Sequence, residues 1–407
     1  MKIAMDSLCS IFSRVLDIIE TEQIGASDRH GLRVAVLCVA MGKKLGYDDD
    51  ALTALSICAL FHDNALTEYQ LSENELRYNG KNMILHCEKG QANMSWLPFK
   101  KDISGFILYH HERSGGKGPF GKHEGEYPFE AALIAAADAI DVKYKLQHLD
   151  PKDLSSLRDQ VTADSGSYSI VSAVNVFLEI FDNNMLESLR DENVEQTLKN
   201  SLPRWEVDVS KNTVIGIAKF IAPIIDFKSG HTRKHTTQIA NRTWLMADYY
   251  QFSQGEKSAL YLAASLHDIG KMAIPSGILE KPDKLNKDEY EVITQHVSNT
   301  YYWLSNITDF DLIRDWASNH HEKLNGKGYP FGKDGSQLDF NSRLIACLDI
   351  YQAVIEARPY HRARSHSETM YILYSMAEKG LIDIKIVKDL DVVMEKYSML
   401  DVPYPLD

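Results

Sequence analysis

The sequence predicts an all-α protein made of two similar helical bundles in tandem, and three observations carry that expectation. Apolar residues recur at three- and four-residue spacing over long stretches, and no run of alternating apolar and polar residues suggests a sheet. Glycine (23) and proline (12) are few for 407 residues and gather at breaks such as Gly270, Pro275, Pro282, Gly326, Gly328 and Pro330. The order of histidines and aspartates in the first half returns in the second.

The repeat is specific. His30, the pair His62-Asp63, His86, the pair His110-His111 and Asp138 recur as His235, His267-Asp268, His296, His320-His321 and Asp349, at spacings of 205, 205, 210, 210 and 211 residues. Their neighbours agree: LFHDNAL (60–66) with LHDIGK (266–271), HHERSGGKGPFG (110–121) with HHEKLNGKGYPFG (320–332), LIAAADAID (133–141) with LIACLDIYQ (344–352). In each copy a helical apolar pattern, DALTALSICALFHD (50–63) or EKSALYLAASLHD (256–268), leads into the His-Asp pair. The acidic and apolar mixture of 151–200 reads as further helices of the first half. Pro203, within 199–212, marks the join, and a long helix opens the second half near Asn212. The expected domains are therefore 1–203 and 204–407.

Composition narrows the function. With 44% hydrophobic and 25% charged residues the chain has material for a sizeable core, which excludes disorder. A net charge of −13 excludes a polymeric nucleic acid as partner, because its phosphates need clustered Lys and Arg, but it allows a small phosphorylated ligand held by metal ions. The five cysteines are odd in number and form no CxxC pair, so they read as buried thiols in a reducing compartment. Asp6, Arg14, Asp17 and Glu20 interrupt any signal-peptide core, and the longest apolar runs (54–61 and 131–140) are too short to span a bilayer. A cytoplasmic protein with no membrane partner is expected, and self-association into a homo-oligomer stays open.

Histidine and aspartate are both metal ligands, and an aspartate can bridge two ions through its two oxygens. Neighbours on a regular helix point about 100° apart, so His267 and Asp268 suit an arrangement in which the imidazole binds one ion and the carboxylate bridges two. A lone histidine such as His148 or His366 needs no such explanation. A seven-member set that occurs twice does.

These residues resemble the HD-GYP family, a branch of the HD superfamily of metal-dependent phosphohydrolases. The resemblance covers about residues 215–400 and rests on His235, LHDIGKMAIPSGILEKPDKL, the QH at 295–296, HHEKLNGKGYP, LDIYQA and the RPY at 358–360. It implies a helical bundle that holds two or three divalent ions, iron or manganese first, and that opens a cyclic dinucleotide (cyclic di-GMP or 3′,3′-cyclic GMP-AMP) to the linear dinucleotide. It further implies His235, His267, Asp268, His296, His320, His321 and Asp349 as ligands, with Asp268 bridging and catalytic. Lys271, three residues after Asp268, is expected to meet phosphoryl charge as a catalytic and substrate-binding cation. Gly326, Gly328 and Tyr329 offer close backbone approach and an aromatic face to a purine, and Arg358 a contact to a phosphate or guanine edge.

Three departures qualify the resemblance. Asn325 stands where the family has Asp in its DGxGYP stretch. His231, four residues before His235, stands where trinuclear members carry an extra Glu; it is either an added ligand or a surface histidine. Gln352 falls where some of those members have Lys. The first half keeps candidate metal ligands in His30, His62, Asp63, His86, His110, His111 and Asp138. It has Leu66 in place of Lys271, GPF in place of GYP, and no RPY. It reads as a degenerate copy with a regulatory or scaffolding role, or with a separate phosphatase activity. The alternatives for the whole chain are a phosphatase or nucleotidase acting on a terminal phosphate and a catalytically silent nucleotide receptor.

Overall fold

The computed structural model describes residues 2–24, 28–67, 80–228, 234–356, 362–397 and 401–405. The chain divides into two compact units, one of Met5–Glu206 and one of Val207–Asp407 together with Met1–Ala4. The expected limits of 1–203 and 204–407 differ from this division at both ends of the first half. The reason is a two-stranded sheet, β1 (Lys2–Ala4) on β2 (Glu206–Asp208), in which backbone hydrogen bonding ties the first residues of the chain to the join. Among the described residues this is the only sheet, and everything else regular is helical.

The first unit contains α1 (Met5–Ile24), α2 (His30–Lys44), α3 (Asp49–Leu60), α4 (Gly80–Met94), α5 (Phe129–Tyr144), α6 (Leu154–Ala163), α7 (Val171–Ile180) and α8 (Val194–Ser201), with shorter turns between them. Helix α2 is buried along most of its length, from His30 through Val39, because α1, α3, α5, α7 and α8 pack around it. Its sequence is apolar almost all round, as a central helix requires. Helix α3 starts where the Asp48 side chain accepts the Ala51 N–H, a cap that contributes about 1 kcal/mol.

The second unit contains α9 (Lys211–Lys228), α10 (His235–Tyr249), α11 (Gln254–Leu266), α12 (Lys287–Leu304), α13 (Asp311–Ser318), α14 (Phe340–Ile355), α15 (His366–Glu378) and α16 (Ile384–Met394). Reciprocal capping boxes start α11 (Ser253 with Glu256) and α12 (Asn286 with Glu289). Helix α11 runs through the centre, touching α9, α10 and α13, and its residues Ser258–Leu266 are all buried.

The His-Asp pairs do not lie within a regular helix, as the apolar pattern had implied. Helices α3 and α11 end at Leu60 and Leu266, just before each pair. His267 is the C-cap, and after Asp268 the chain tightens into a 3₁₀ turn, Ile269–Ala273; the first unit does the same at Asn64–Thr67. In a 3₁₀ turn residues i and i+3 eclipse, and this puts Lys271 over Asp268.

The turn of the second unit packs against α12 so closely that only glycine fits at 270. A Cβ there would lie 2.0 Å from the His296 carbonyl oxygen and 2.6 Å from the Thr300 nitrogen. Thr300 Oγ1 accepts the Gly270 N–H at 3.1 Å and donates to the His267 carbonyl at 3.0 Å. In the first unit the small residue sits on the other side of the crossing: Ala65 takes the turn position, and Gly90 on α4 makes room, its own Cβ position lying 2.8 Å from Ile107.

Candidate metal centres

In the second unit helix ends, the segments that follow them and the middles of two further helices deliver side chains to one buried region. His235 opens α10, His267 and Asp268 follow α11, His296 comes from α12, His320 and His321 follow α13, and Asp349 comes from α14. The ligand atoms fall into two groups, His235-His267-Asp268 and His296-His320-His321, each within 4.8 Å. Asp268 stands between them: Oδ2 lies 3.1 Å from His267 Nε2 and 3.9 Å from His235 Nε2, while Oδ1 lies 3.5 Å from His296 Nε2 and 3.9 Å from His320 Nε2. Asp349 spans the same gap more loosely, with Oδ1 3.5 Å from His235 Nε2 and Oδ2 3.9 Å from His321 Nδ1.

The rings are oriented for cations. His267, His296 and His320 each point Nδ1 at a backbone carbonyl three residues earlier, those of Ala264 (2.8 Å), Ile293 (2.6 Å) and Ala317 (2.7 Å). A carbonyl only accepts, so Nδ1 carries the proton and Nε2 turns its lone pair into the centre. His267 Nε2 and Asp268 Oδ1 are buried with no hydrogen-bond partner among the described residues. Lone pairs facing carboxylate oxygens at these distances are repulsive unless a cation lies between them, so the donor set fits divalent metal. Burial, with His321 and His267 adding, holds His320 well below the usual imidazole range, and burial also takes His296 down to about 3, so both rings are neutral. His235 differs. Burial lowers it, but Asp349 and Glu356 outweigh burial and raise it to about 9.

The first unit repeats the arrangement. Its groups are His30-His62-Asp138 and Asp63-His86-His110-His111. Asp63 again stands between: Oδ2 is 3.5 Å from His62 Nε2, and Oδ1 is 3.1 Å from His86 Nε2 and 3.9 Å from His110 Nε2. Asp138 Oδ1 lies 3.3 Å from His30 Nε2 and 3.8 Å from His62 Nε2. His62 and His110 tie Nδ1 to the carbonyls of Ala59 (2.9 Å) and Ile107 (2.5 Å). All seven expected first-half residues therefore converge, as do all seven in the second half.

Behind the ligands the two units diverge, and sequence reasoning missed these supports. His235 Nδ1 meets Glu356 Oε2 at 3.0 Å; Glu356 accepts from Gln352, and Gln352 accepts from Arg242 Nε at 2.7 Å. Gln352 is thus a link in a buried chain that orients His235. In the first unit His30 Nδ1 meets Asp141 Oδ2 at 2.7 Å, and the wholly buried Arg33 clamps Asp141 through Nε at 2.9 and 3.0 Å. Asp141, one helical turn after Asp138, was the visible signal.

The loops after the double histidines share a closing device. Glu322 accepts the N–H groups of Phe331 (2.7 Å) and Lys333 (3.0 Å), and Glu112 accepts those of Phe120 (2.7 Å) and Lys122 (3.0 Å). Gly328 presses on Glu322, where a Cβ would lie 2.4 Å from its Cα, so this glycine is demanded by the loop's own fold. Gly326 adopts a positive φ of 70°. Asn325 accepts the Lys327 N–H at 3.1 Å, a turn contact that Asp would make equally well. Both copies read HHE, so this glutamate was legible in the repeat.

Two residues stand at the second centre without counterpart in the first. Lys271 Nζ donates to Asp268 Oδ2 and is part-buried. Tyr329 lays its ring 4.9 Å from the His321 ring, and burial pushes its hydroxyl upward from the usual range. In the first unit Leu66 is buried where Lys271 would be, and no residue matches Tyr329. His231 and Arg358 lie outside the described residues.

Residues 28–143 match a family model described as HD domain, and residues 219–386 match a second model of the same description. The 3′3′-cGAMP-specific phosphodiesterase 1 of Vibrio cholerae is 29% identical over 406 residues, 96% of this chain and 92% of that protein. Phosphodiesterase 3 of the same kind and organism is 27% identical, over 76% of this chain and 67% of its own. The cyclic di-GMP phosphodiesterase response regulator RpfG of Xanthomonas campestris is 33% identical over 39% of this chain and 42% of its own length. The crystal structure of a cyclic GMP-AMP-specific phosphodiesterase of V. cholerae superposes with a TM-score of 0.65 at 21% identity, covering 97% of this chain and 98% of that one, which is a likeness of fold. No helix among the described residues is long and apolar enough to cross a membrane.

Proposed function

We propose, from the premise that the chain belongs to the HD-domain family twice over and is of the HD-GYP type, that its second half hydrolyses a cyclic dinucleotide to the linear dinucleotide. The observation that carries this reading is Asp268, whose two oxygens face two separate histidine groups. Bound ions would supply Lewis acidity, drawing charge from a phosphoryl group and making water acidic enough to attack it at neutral pH.

The chain's own residues do the rest. His235, His267 and Asp268 hold one side of the centre and His296, His320 and His321 the other, with Asp349 reaching both. Lys271, resting on Asp268, brings an ammonium group to the charge that develops on the phosphoryl oxygens. Tyr329 forms an aromatic wall beside His321 against which a base can stack. The donors are imidazole and carboxylate with no thiolate, a mixture that suits iron or manganese. The free, buried thiols of all five cysteines suit a reducing cytoplasm.

Relatives that match most of this chain act on 3′3′-cGAMP, and this supports 3′,3′-cyclic GMP-AMP as a substrate beside cyclic di-GMP. The test is chromatography of products after metal-loaded protein meets each cyclic dinucleotide and a linear one. Linear dinucleotide from a cyclic substrate is expected. Release of phosphate from the linear substrate alone would favour a terminal phosphatase, and binding without turnover a receptor.

A further inference from the structure

Backbone carbonyls stand behind His267, His296 and His320, but a carboxylate stands behind His235. Its Nδ1 lies 3.0 Å from Glu356 Oε2, and its Nε2 faces Asp349 Oδ1 at 3.5 Å. The first unit treats His30 alike, with Asp141 Oδ2 2.7 Å from Nδ1 and Asp138 Oδ1 3.3 Å from Nε2. The two supporting carboxylates nevertheless come from different places on their helices. Asp141 lies three residues after Asp138 on α5, whereas Glu356 lies seven after Asp349, at the end of α14. Positions three and seven along share the helical face of the aspartate, one turn apart. The first unit has Asp141 and then Lys145 at these positions, and the second has Gln352 and then Glu356. Each unit therefore carries one carboxylate there, in opposite order.

What surrounds the nearer position is the same in both units. Arg33 donates Nε to Asp141 at 2.9 and 3.0 Å, and Arg242 donates Nε to Gln352 Oε1 at 2.7 Å, both arginines being buried. In the first unit one aspartate thus touches arginine and histidine together. In the second the glutamine meets the arginine, carries no charge to the histidine, and donates its amide to Glu356 Oε1 instead. Glu356 reaches back over that turn to His235.

We propose that Glu356 is the positioning residue of the second centre, a carboxylate displaced by one helical turn that does for His235 what Asp141 does for His30. A carboxylate accepts, so the His235 proton stays on Nδ1 and Nε2 offers its lone pair to an ion. The charge behind the ring also makes it a stronger donor than a carbonyl would. Glu356 itself touches neither the ion nor the substrate in this role. The proposal rests on the reading that the second half holds metal.

The test uses the full chain carrying His62→Ala and Asp63→Ala, so that retained ions report on the second centre. Manganese per chain is measured across a chelator-buffered manganese series, each variant first checked for helical content. Glu356→Ala should weaken retention by about 10–100-fold. Glu356→Gln, which keeps an acceptor but removes the charge, should weaken it less. Adding Gln352→Asp to the Glu356→Ala chain should recover most of the loss, because it rebuilds the arginine-aspartate-histidine contact of the first unit at a position Arg242 already reaches. A glutamate that merely steadied the end of α14 would not be replaced from position 352. Undiminished retention in Glu356→Ala overturns the assignment, as does a loss that Gln352→Asp leaves unrecovered. If Glu356→Ala fails to fold, undiminished retention in Glu356→Gln overturns it equally. A parent chain that retains no manganese overturns the second centre itself, and the assignment with it. A parent that retains manganese but hydrolyses no cyclic dinucleotide overturns the proposed reaction, while the retention series still decides the role of Glu356.

Discussion

The two candidate centres gather the same set of seven side chains, five histidines and two aspartates, at similar distances, yet Lys271 and Tyr329 stand beside only one of them. Asp63 and Asp268 each stand between two histidine groups, and His62, His110, His267, His296 and His320 are all held by carbonyls three residues earlier. The first centre has Leu66 and a one-residue-shorter loop in their place. It also has its own addition, the Arg33-clamped Asp141. The geometry of the candidate donors and the presence of Lys271 and Tyr329 are thus separable. The donors are held by burial and by backbone acceptors that both copies provide, whereas a lysine or tyrosine beside them is one substitution or deletion from loss.

The sharpest way to break this comparison is to empty each centre in turn. His267→Ala with Asp268→Ala should lower cyclic-dinucleotide hydrolysis by on the order of 10³-fold or more, since several donors are lost as a unit. His62→Ala with Asp63→Ala should leave most of it. Steady-state rates of folded variants decide; the reverse result would move the diester site to the first half.

A smaller effect is expected at Lys271. Lys271→Ala should slow turnover by about 10²–10³-fold while metal content stays at the wild-type level, as loss of one charge-stabilising donor does elsewhere. A fall in bound metal with unchanged turnover per ion would make the lysine a support of Asp268 instead.

The helix crossings make a third contrast. Gly270→Ala drives a Cβ into backbone atoms of α12 and should cost about 1–3 kcal/mol in denaturant unfolding, with lower metal retention through His296. Gly90→Ala meets chiefly the Ile107 side chain and the flexible end of Asn64, so it should cost less. Equal losses would show that the crossing tolerates movement in both units.

Acid should weaken the metal-free fold through both units. His296 titrates near 6.5 when unfolded but at about 3 when folded, so the unfolded chain binds more protons between these values and stability falls as pH drops through that window. His110, His111, His320 and His321 are lowered in the same sense, burial being the first cause for each. His235, raised to about 9, acts oppositely: its contribution is full below about 6.5 and is lost as pH rises through 9. Urea midpoints of metal-free protein should decline from about pH 7 to about pH 4, and His296→Asn should flatten part of that decline. A midpoint that rises on acidification would contradict the neutral-ligand assignment.

Much of this was legible in the chain alone. Helical periodicity, the scarcity of Gly and Pro, and the doubled order of His30 to Asp138 and His235 to Asp349 specify two helical bundles and the two sets of side chains that converge in them, because burial of an amphipathic face and a repeated His-Asp order each leave a residue-type signature. Glu112 and Glu322 could have been read from the shared HHE. What the tertiary structure decided were the relations that leave no local signature. The break of α11 before His267, the exchange of glycine between the turn and the helix it crosses, the Glu356-Gln352-Arg242 chain behind His235 and the burial of Glu20 all depend on which helix lies against which. An acidic residue on a helix is solvated or buried, and a glycine is free or obligatory, only once a neighbour distant in sequence arrives within a few ångströms. That contact is set by packing, not by the residues on either side.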